Sequence, residues 1–247
     1  MIARLTLNTV LVLIVVLSSV LMGCASQGQV AGRGGEPPAR STMPTPQERG
    51  IVVFFDDAAA VEWSADESSV LLTFRGQDLH RGHFDPPQPG TLVLVVDGVA
   101  FQILDLDSNL VTTDYASNEE LLSKHRQWEL EYWNRILGTP VESHAEKIEG
   151  CEYAGASLWQ IVWPEEIRRA RRVKATRQLY LTFVAGSRIV VVSSAVMEGD
   201  SVADRLRFLR GVARDARVWP GSIDQEELRR WLQENGSKIS PSESDPG

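Results

Sequence analysis

The sequence predicts an α+β domain, a mostly antiparallel β-sheet packed with two main α-helices, preceded by a signal peptide and a disordered tether. Three observations predict it. Short apolar runs come in neighbouring pairs joined by two-residue turns, two amphipathic stretches with capping residues separate those pairs, and residues 25–49 hold too few apolar side chains to join a core. The chain of 247 residues is 43% hydrophobic and 23% charged, which suits one domain, or at most two, and excludes collagen, a disulfide-stapled miniprotein and a wholly disordered chain. Asp and Glu number 33 against 25 Lys and Arg, a net charge of −8. Nucleic-acid binding, which neutralises phosphates with cations, is therefore not expected.

The N-terminus reads as an address. Arg4 precedes residues 10–22, VLVLIVVLSSVLM, an apolar run shorter than the roughly 20 residues a helix needs to span a hydrocarbon core. A positive start, an apolar middle and small residues at the exit are the parts of a secretory signal, residues 1–23. Leu21-Met22-Gly23-Cys24 then resembles the lipobox of bacterial lipoproteins. The resemblance implies cleavage before Cys24, a diacylglyceryl group on its thiol and acylation of its new amine. One chain binds a membrane only marginally, whereas two or more anchor stably. In such lipoproteins an Asp directly after the Cys favours inner-membrane retention, and Ala25 stands there instead, so the resemblance implies the periplasmic face of the outer membrane in an organism that has one. The alternative is an uncleaved N-terminal helix with a buried Cys24. Lipidation leaves Cys151 as the one free thiol, so no internal disulfide is expected, and Cys151 reads as a small core residue rather than a nucleophile.

Residues 24–49 are the lipidated Cys and a flexible linker, in which 25–49 hold four Gly, four Pro and, as larger aliphatics, only Val30 and Met43. As a coil, that linker spans roughly 25–30 Å. The other end, residues 236–247, is rich in Ser, Pro and Gly and reads as a disordered tail. Residues 50–235 form the single α+β domain.

Within it, 51–55 and 69–74 read as strands. Residues 92–96 and 99–106 flank Asp97-Gly98, a pair that supplies the positive φ angles of a two-residue hairpin. A strand over 158–163 follows, then a second hairpin of 178–184 and 188–196 around Gly186-Ser187, where Gly suits the first corner of a II′ turn. The first helix begins with Ser117-Asn118-Glu119-Glu120, a capping box, and stops at Gly138 with Pro140 beyond. Its stripe is Leu121, His125, Trp128, Tyr132 and Ile136. The second starts near Asp200 and Ser201 and aligns Val202, Leu206, Leu209, Ala213 and Ala216. A shorter helix over 223–234 packs on the domain's edge through Leu228 and Trp231.

The run Leu179-Tyr180-Leu181-Thr182-Phe183 through Gly186, the strand that follows, Glu198-Gly199-Asp200 and the closing helix resemble the Mog1/PsbP-type α/β fold. The resemblance covers about half the domain and rests on pattern more than on motif. It implies a binding or assembly-assisting role without catalysis.

Candidate chemistry is sparse. Gly32-Arg33-Gly34-Gly35 lies in the tether with no strand before it, and Gly155-Ala156-Ser157 continues into Leu158-Trp159, so neither a phosphate loop nor a hydrolase elbow is present. Asp105, Asp107 and Asn109 alternate like a calcium loop, but Leu110 and Ala116 stand where that loop needs Gly and Glu, and the segment reads as a strand end dissolving into a polar turn. Asp78, His80, His83 and Asp85 include a His-x-x-His that suits zinc, yet they lie in a Gly- and Pro-rich stretch with no frame to orient ligands and read as a solvated loop. His125 lies on the first helix's apolar stripe. A catalytic base there has no neighbouring nucleophile, and a core histidine hydrogen-bonded to backbone is expected. Trp128, Tyr132, Trp133, Trp159 and Trp163 either line a ligand groove or build the core; Trp159, Ile161 and Trp163 alternate along one strand face, which favours the core.

The most informative polar feature is the basic run Arg168, Arg169, Arg171, Arg172 and Lys174, with Arg177 following, on the connection between two strands of an acidic protein. Arg205, Arg207, Arg210, Arg214 and Arg217 add cations on the closing helix. Such a patch can meet phosphates of lipid headgroups, lipopolysaccharide or an acidic partner; the alternative is a solvated loop balanced by Glu165 and Glu166.

These readings converge on a membrane-anchored envelope lipoprotein with a non-catalytic binding or scaffolding domain facing the periplasm. No catalytic residue, metal or cofactor is expected. The partners expected are the membrane, through the lipid on Cys24, and an envelope protein or anionic lipid, through the basic run. The alternatives are an envelope hydrolase using His80, His83 or His125, and a carrier of small apolar ligands whose tryptophans line a cavity.

Overall fold

The structure, a computed structural model, describes residues 50–54, 57–65, 68–83, 90–146, 148, 155–221 and 224–235. The signal segment, Cys24, the tether, Asp85, Cys151 and the tail lie outside the described residues. Strands β1 (Ile51–Phe54), β2 (Ala58–Ala65), β3 (Ser68–Arg75), β4 (Leu79–Arg81), β5 (Thr91–Val96) and β6 (Val99–Asp107) come first. Helix α1 (Asn118–Leu137) leads to β7 (Glu142–Glu146) and β8 (Ala156–Val162), and α2 (Glu165–Arg171) leads to β9 (Ala175–Ala185) and β10 (Arg188–Met197). Helix α3 (Val202–Asp215), β11 (Arg217–Pro220) and α4 (Gln225–Asn235) follow. Among the described residues the strands form two antiparallel sheets, β1-β2-β3-β11 and β4-β5-β6-β10-β9-β8-β7. The fold is α+β.

Turn chemistry sets the registers. Asp97 and Gly98 take φ of 49° and 78°, so Val96 lies opposite Val99 and the remaining β5/β6 pairs follow. Gly186, with φ of 56°, turns β9 into β10 so that Ala185 faces Arg188. Arg188 also lies opposite Asp107 of β6, and its guanidinium grips Asp105 at 2.5 Å, tying the two hairpins together. Asp97 has a second task, because its Oδ1 accepts from the N–H groups of Gln77 and Asp78 at 2.8 and 2.9 Å, fixing the entry to β4. Asp97→Ala removes both bonds and puts a poorly suited residue at positive φ. It should lower unfolding free energy by about 1–2 kcal/mol in urea denaturation, whereas Asp97→Asn, which tolerates that φ and keeps an acceptor, should recover most of the loss.

Alternation along β9 and β10 divides the interior. Leu179, Leu181, Phe183, Val190 and Val192 face the small sheet and pack with Trp63, Val70, Leu72, Phe74 and with Leu209 and Ala213 of α3. Tyr180, Val184, Ile189 and Val191 face the other way, under Leu121, Tyr132 and Trp133 of α1. Both faces of these central strands are covered, which is why their sequences run apolar without a break. On the outside of the small sheet, Leu228 of α4 packs against Val53, Ala60 and Leu71.

The two main helices match the expected ends. Glu120 N–H donates to Ser117 Oγ at 3.2 Å, and Glu120 Oε2 accepts from Ala116 N–H at 2.8 Å, one residue before the usual partner of a capping box. That backbone bond, with Lys124 beside it, holds the Glu120 carboxyl below its ordinary range. Gly138 closes α1 with φ of 70°, and Ser201 caps α3.

Several expectations need correction. Strands β2, β4, β7 and β11 and helix α2 are additional to the elements expected. The stretch holding His80 is not a loop throughout, since Leu79–Arg81 pairs with β5. The basic run is not all loop either. Glu165 and Glu166 open α2 and Arg168, Arg169 and Arg171 close it, each charge set at the helix end whose dipole it complements.

Candidate functional site

Helix α1 crosses the large sheet above β8 and β9 and buries its apolar stripe there, and two ionisable side chains go in with it. His125 has no exposed surface and Glu129 is 5% exposed, with His125 Nε2 3.8 Å from Glu129 Oε1 across one helical turn. Aromatic rings enclose the histidine: Trp128 stacks beside it at 6.2 Å, and Trp159 presents an edge at 6.3 Å. Trp159 in turn stacks on Tyr180 at 4.1 Å, and the Tyr180 hydroxyl accepts from Trp133 Nε1–H at 3.0 Å. Burial pulls the His125 imidazole down from 6.5 to about 4 and pushes the Glu129 carboxyl up from 4.5 to about 7. Between those values both are uncharged. Burial, with the Glu129 charge adding to it, also raises the Tyr180 phenol well above 10.

His125 is a core residue, as expected, but not one bonded to backbone, since neither ring nitrogen has a hydrogen-bond partner. The reason is local: inside a 20-residue helix the neighbouring carbonyls already accept helical bonds, and the strands below offer rings. Sequence reasoning passed over Glu129, although it falls one turn after His125 on the same stripe and that spacing was the signal for it. Trp159, Ile161 and Trp163 all join the layer under α1, where Trp133 meets Trp163 edge-on at 4.6 Å.

This aromatic layer surfaces between the end of α1 and α2, as a cleft of about 30 Å³ lined by Trp133, Ile136, Leu137, Trp163, Ile167 and Val173 and rimmed by Arg168 and Arg171. Arg168 is half-buried and its Nε–H has no partner; neither does the Nε1–H of Trp163, which is 4% exposed. Arg171 donates to the Ile136 carbonyl at 3.4 Å, placing a cation at the C-terminal end of α1. Arg169 pairs with Glu165 one turn back. Arg172 ends α2 with φ of 54°, and Lys174 follows, exposed.

Arg177 does not belong with them. It faces the small-sheet side and donates to Gln160 Oε1 at 2.7 Å, in a chain that runs through Glu146 to Arg210 of α3. The other arginines of α3 are partly engaged within the domain: Arg205 reaches Ser194 at 2.8 Å and pairs with Asp200, and Arg207 pairs with Asp204 at 2.7 Å. Burial lowers the Arg205 guanidinium's pKa, and Asp200 partly offsets it. Arg217 bonds to the carbonyls of Arg214 and Ala216.

The remaining candidates are scattered. His80 Nδ1 lies 3.2 Å from Asp78 Oδ1 at the exposed edge of the large sheet, and His83 is exposed beyond it. Among the described residues, no three His, Cys, Asp or Glu side chains gather as a metal site would require. Asp107 Oδ1 accepts from Asn109 N–H and caps a 3-10 turn, Ser108–Leu110, so the calcium-like segment is a strand end and a polar turn. No helix among the described residues is long and apolar enough to cross a membrane.

No protein-family model matches the chain, and no curated protein matches it. Among solved structures it is similar to the cyanobacterial PsbP protein, CyanoP, from Synechocystis sp. PCC 6803, solved in solution, at 10% identity over 68% of this chain and 95% of that one, with a TM-score of 0.43. At that identity and TM-score nothing about function passes from that protein to this chain, whose chemistry rests on its own residues.

Proposed function

We propose that this protein is a lipid-anchored, non-catalytic binding domain, held by Cys24 on the periplasmic face of the outer membrane and offering a cationic face to an acidic envelope partner. The observation that carries the binding half is the pair Arg168 and Arg171 at an apolar cleft, with Arg172 and Lys174 exposed just after them in the chain, in a protein of net charge −8. The histidines weigh against a hydrolase: His125 is sealed beneath α1, and His80 and His83 stand on an open sheet edge. A carrier of whole apolar ligands needs several hundred Å³, roughly 300 at least, far beyond the volume of this cleft. The anchoring half rests on Leu21-Met22-Gly23-Cys24 after an apolar run.

Intact-mass analysis of the mature protein tests the anchor. The expected result is a chain beginning at Cys24 with a diacylglyceryl thioether and an acylated amine. A chain beginning at Met1 with a free thiol at position 24 overturns it.

A further inference from the structure

The α1/α2 cleft combines features that surface arginines alone lack. Its volume, about 30 Å³, admits the tip of one aliphatic side chain and not an acyl tail. Two donors beside it, Trp163 Nε1–H and Arg168 Nε–H, are buried without acceptors. Arg168 is half-buried, so a carboxylate that accepts from its guanidinium meets a less hydrated cation than an exposed arginine offers. Arg172, next in the chain after the rim residue Arg171, ends α2 in a left-handed conformation and is exposed.

Resting on the binding reading above, we propose that this cleft docks an acidic-aliphatic segment of a partner protein. The tip of one Leu side chain enters between Trp163, Ile167 and Val173, and a neighbouring carboxylate accepts from the half-buried Arg168 guanidinium. Arg172 and Lys174 supply long-range attraction, which speeds encounter more than it strengthens the bound state. The chemistry favours a peptide over an anionic bilayer. A bilayer surface presents phosphates to every exposed cation alike and brings no small apolar group to the level of those charges.

The test uses the full chain in non-ionic detergent with three probes: a fluorescent peptide of alternating Glu and Leu, an all-Glu peptide of equal charge, and glycerophosphoglycerol, the water-soluble headgroup of phosphatidylglycerol, which the anchor cannot engage. The alternating peptide should bind about tenfold or more tightly than the all-Glu peptide, the worth of one buried aliphatic group with a charge-assisted bond. Arg168→Gln, which removes a rim donor, and Val173→Trp, which fills the cleft, should each weaken it by about tenfold. Arg214→Gln, an exposed cation elsewhere, should leave it unchanged. Melting curves identify any variant that fails to fold, and Arg168→Gln, at a half-buried rim position, stands alone if Val173→Trp does. Equal binding of the two peptides, or indifference to Arg168→Gln, overturns the cleft proposal while leaving a binding face. Headgroup binding without peptide binding overturns the choice of partner. Failure of all three probes ends the binding reading as well.

Discussion

Stability of a His125→Phe variant should fall as pH rises from 4.5 to 7, that of Glu129→Gln should rise from pH 4 to 6.5, and the wild type should stay nearly level where the two windows overlap. The signs follow from proton counts. The folded state keeps the Glu129 proton up to about pH 7, while the unfolded chain releases it near 4.5, so raising the pH across that window favours unfolding. For His125 the unfolded chain binds a proton below 6.5 that the folded state refuses until about 4, so raising the pH across that window favours folding. In the wild type the two slopes oppose each other and nearly cancel. Deleting either partner exposes the other's ramp, on the order of 3 kcal/mol across its window. Urea denaturation of the three proteins at matched pH values measures it, with all other titrating groups common to the set. Three parallel profiles would show that the pair is not held uncharged in the core.

Trp159→Ala should be the most damaging single substitution under α1. The side chain has no exposed surface, stacks on Tyr180 and forms a wall of the His125 site. Truncating a buried tryptophan costs about 3–5 kcal/mol. Its own Nε1–H is buried without a partner, and removing that unmet donor returns part of the loss, which places the expected value toward the lower end. A second readout separates this from generic cavity formation. Water entering the space relieves the desolvation of His125, so its imidazole should titrate closer to 6.5, as followed by proton NMR at Cε1. A destabilised protein whose histidine still titrates near 4 would place Trp159 outside the wall of that site.

Local chemistry made half of this fold readable. Asp97-Gly98, Gly186-Ser187, Ser117 with Glu120, and Gly138 each fix backbone geometry with nearby atoms, and the elements they bound fall where the sequence places them, within a residue or a few. What escaped depends on distant partners. Residues 58–60 are three alanines, good helix formers, and they become strand because β3 pairs with all three and β1 with Ala59 and Ala60. Glu142–Glu146 is a largely exposed edge strand, so no alternation of apolar residues marks it. Helix α2 is marked by acids followed by an arginine one turn later, but it has seven residues and buries none, so no apolar stripe distinguishes it from a charged connection. Within the site, the aromatic layer was legible from strand alternation. The separation of Arg177 from its neighbours was not, because the register shifts where β9 begins, and Ala175 packs on the α1 side while Leu179 packs on the other.

Layer order has a directional consequence. The described chain enters at Gly50 on the edge of the small sheet, whereas the α1/α2 cleft opens beyond the far face of the large one. A contact on the β1 edge and a partner in the cleft therefore engage different layers of the domain, and neither needs the other to leave.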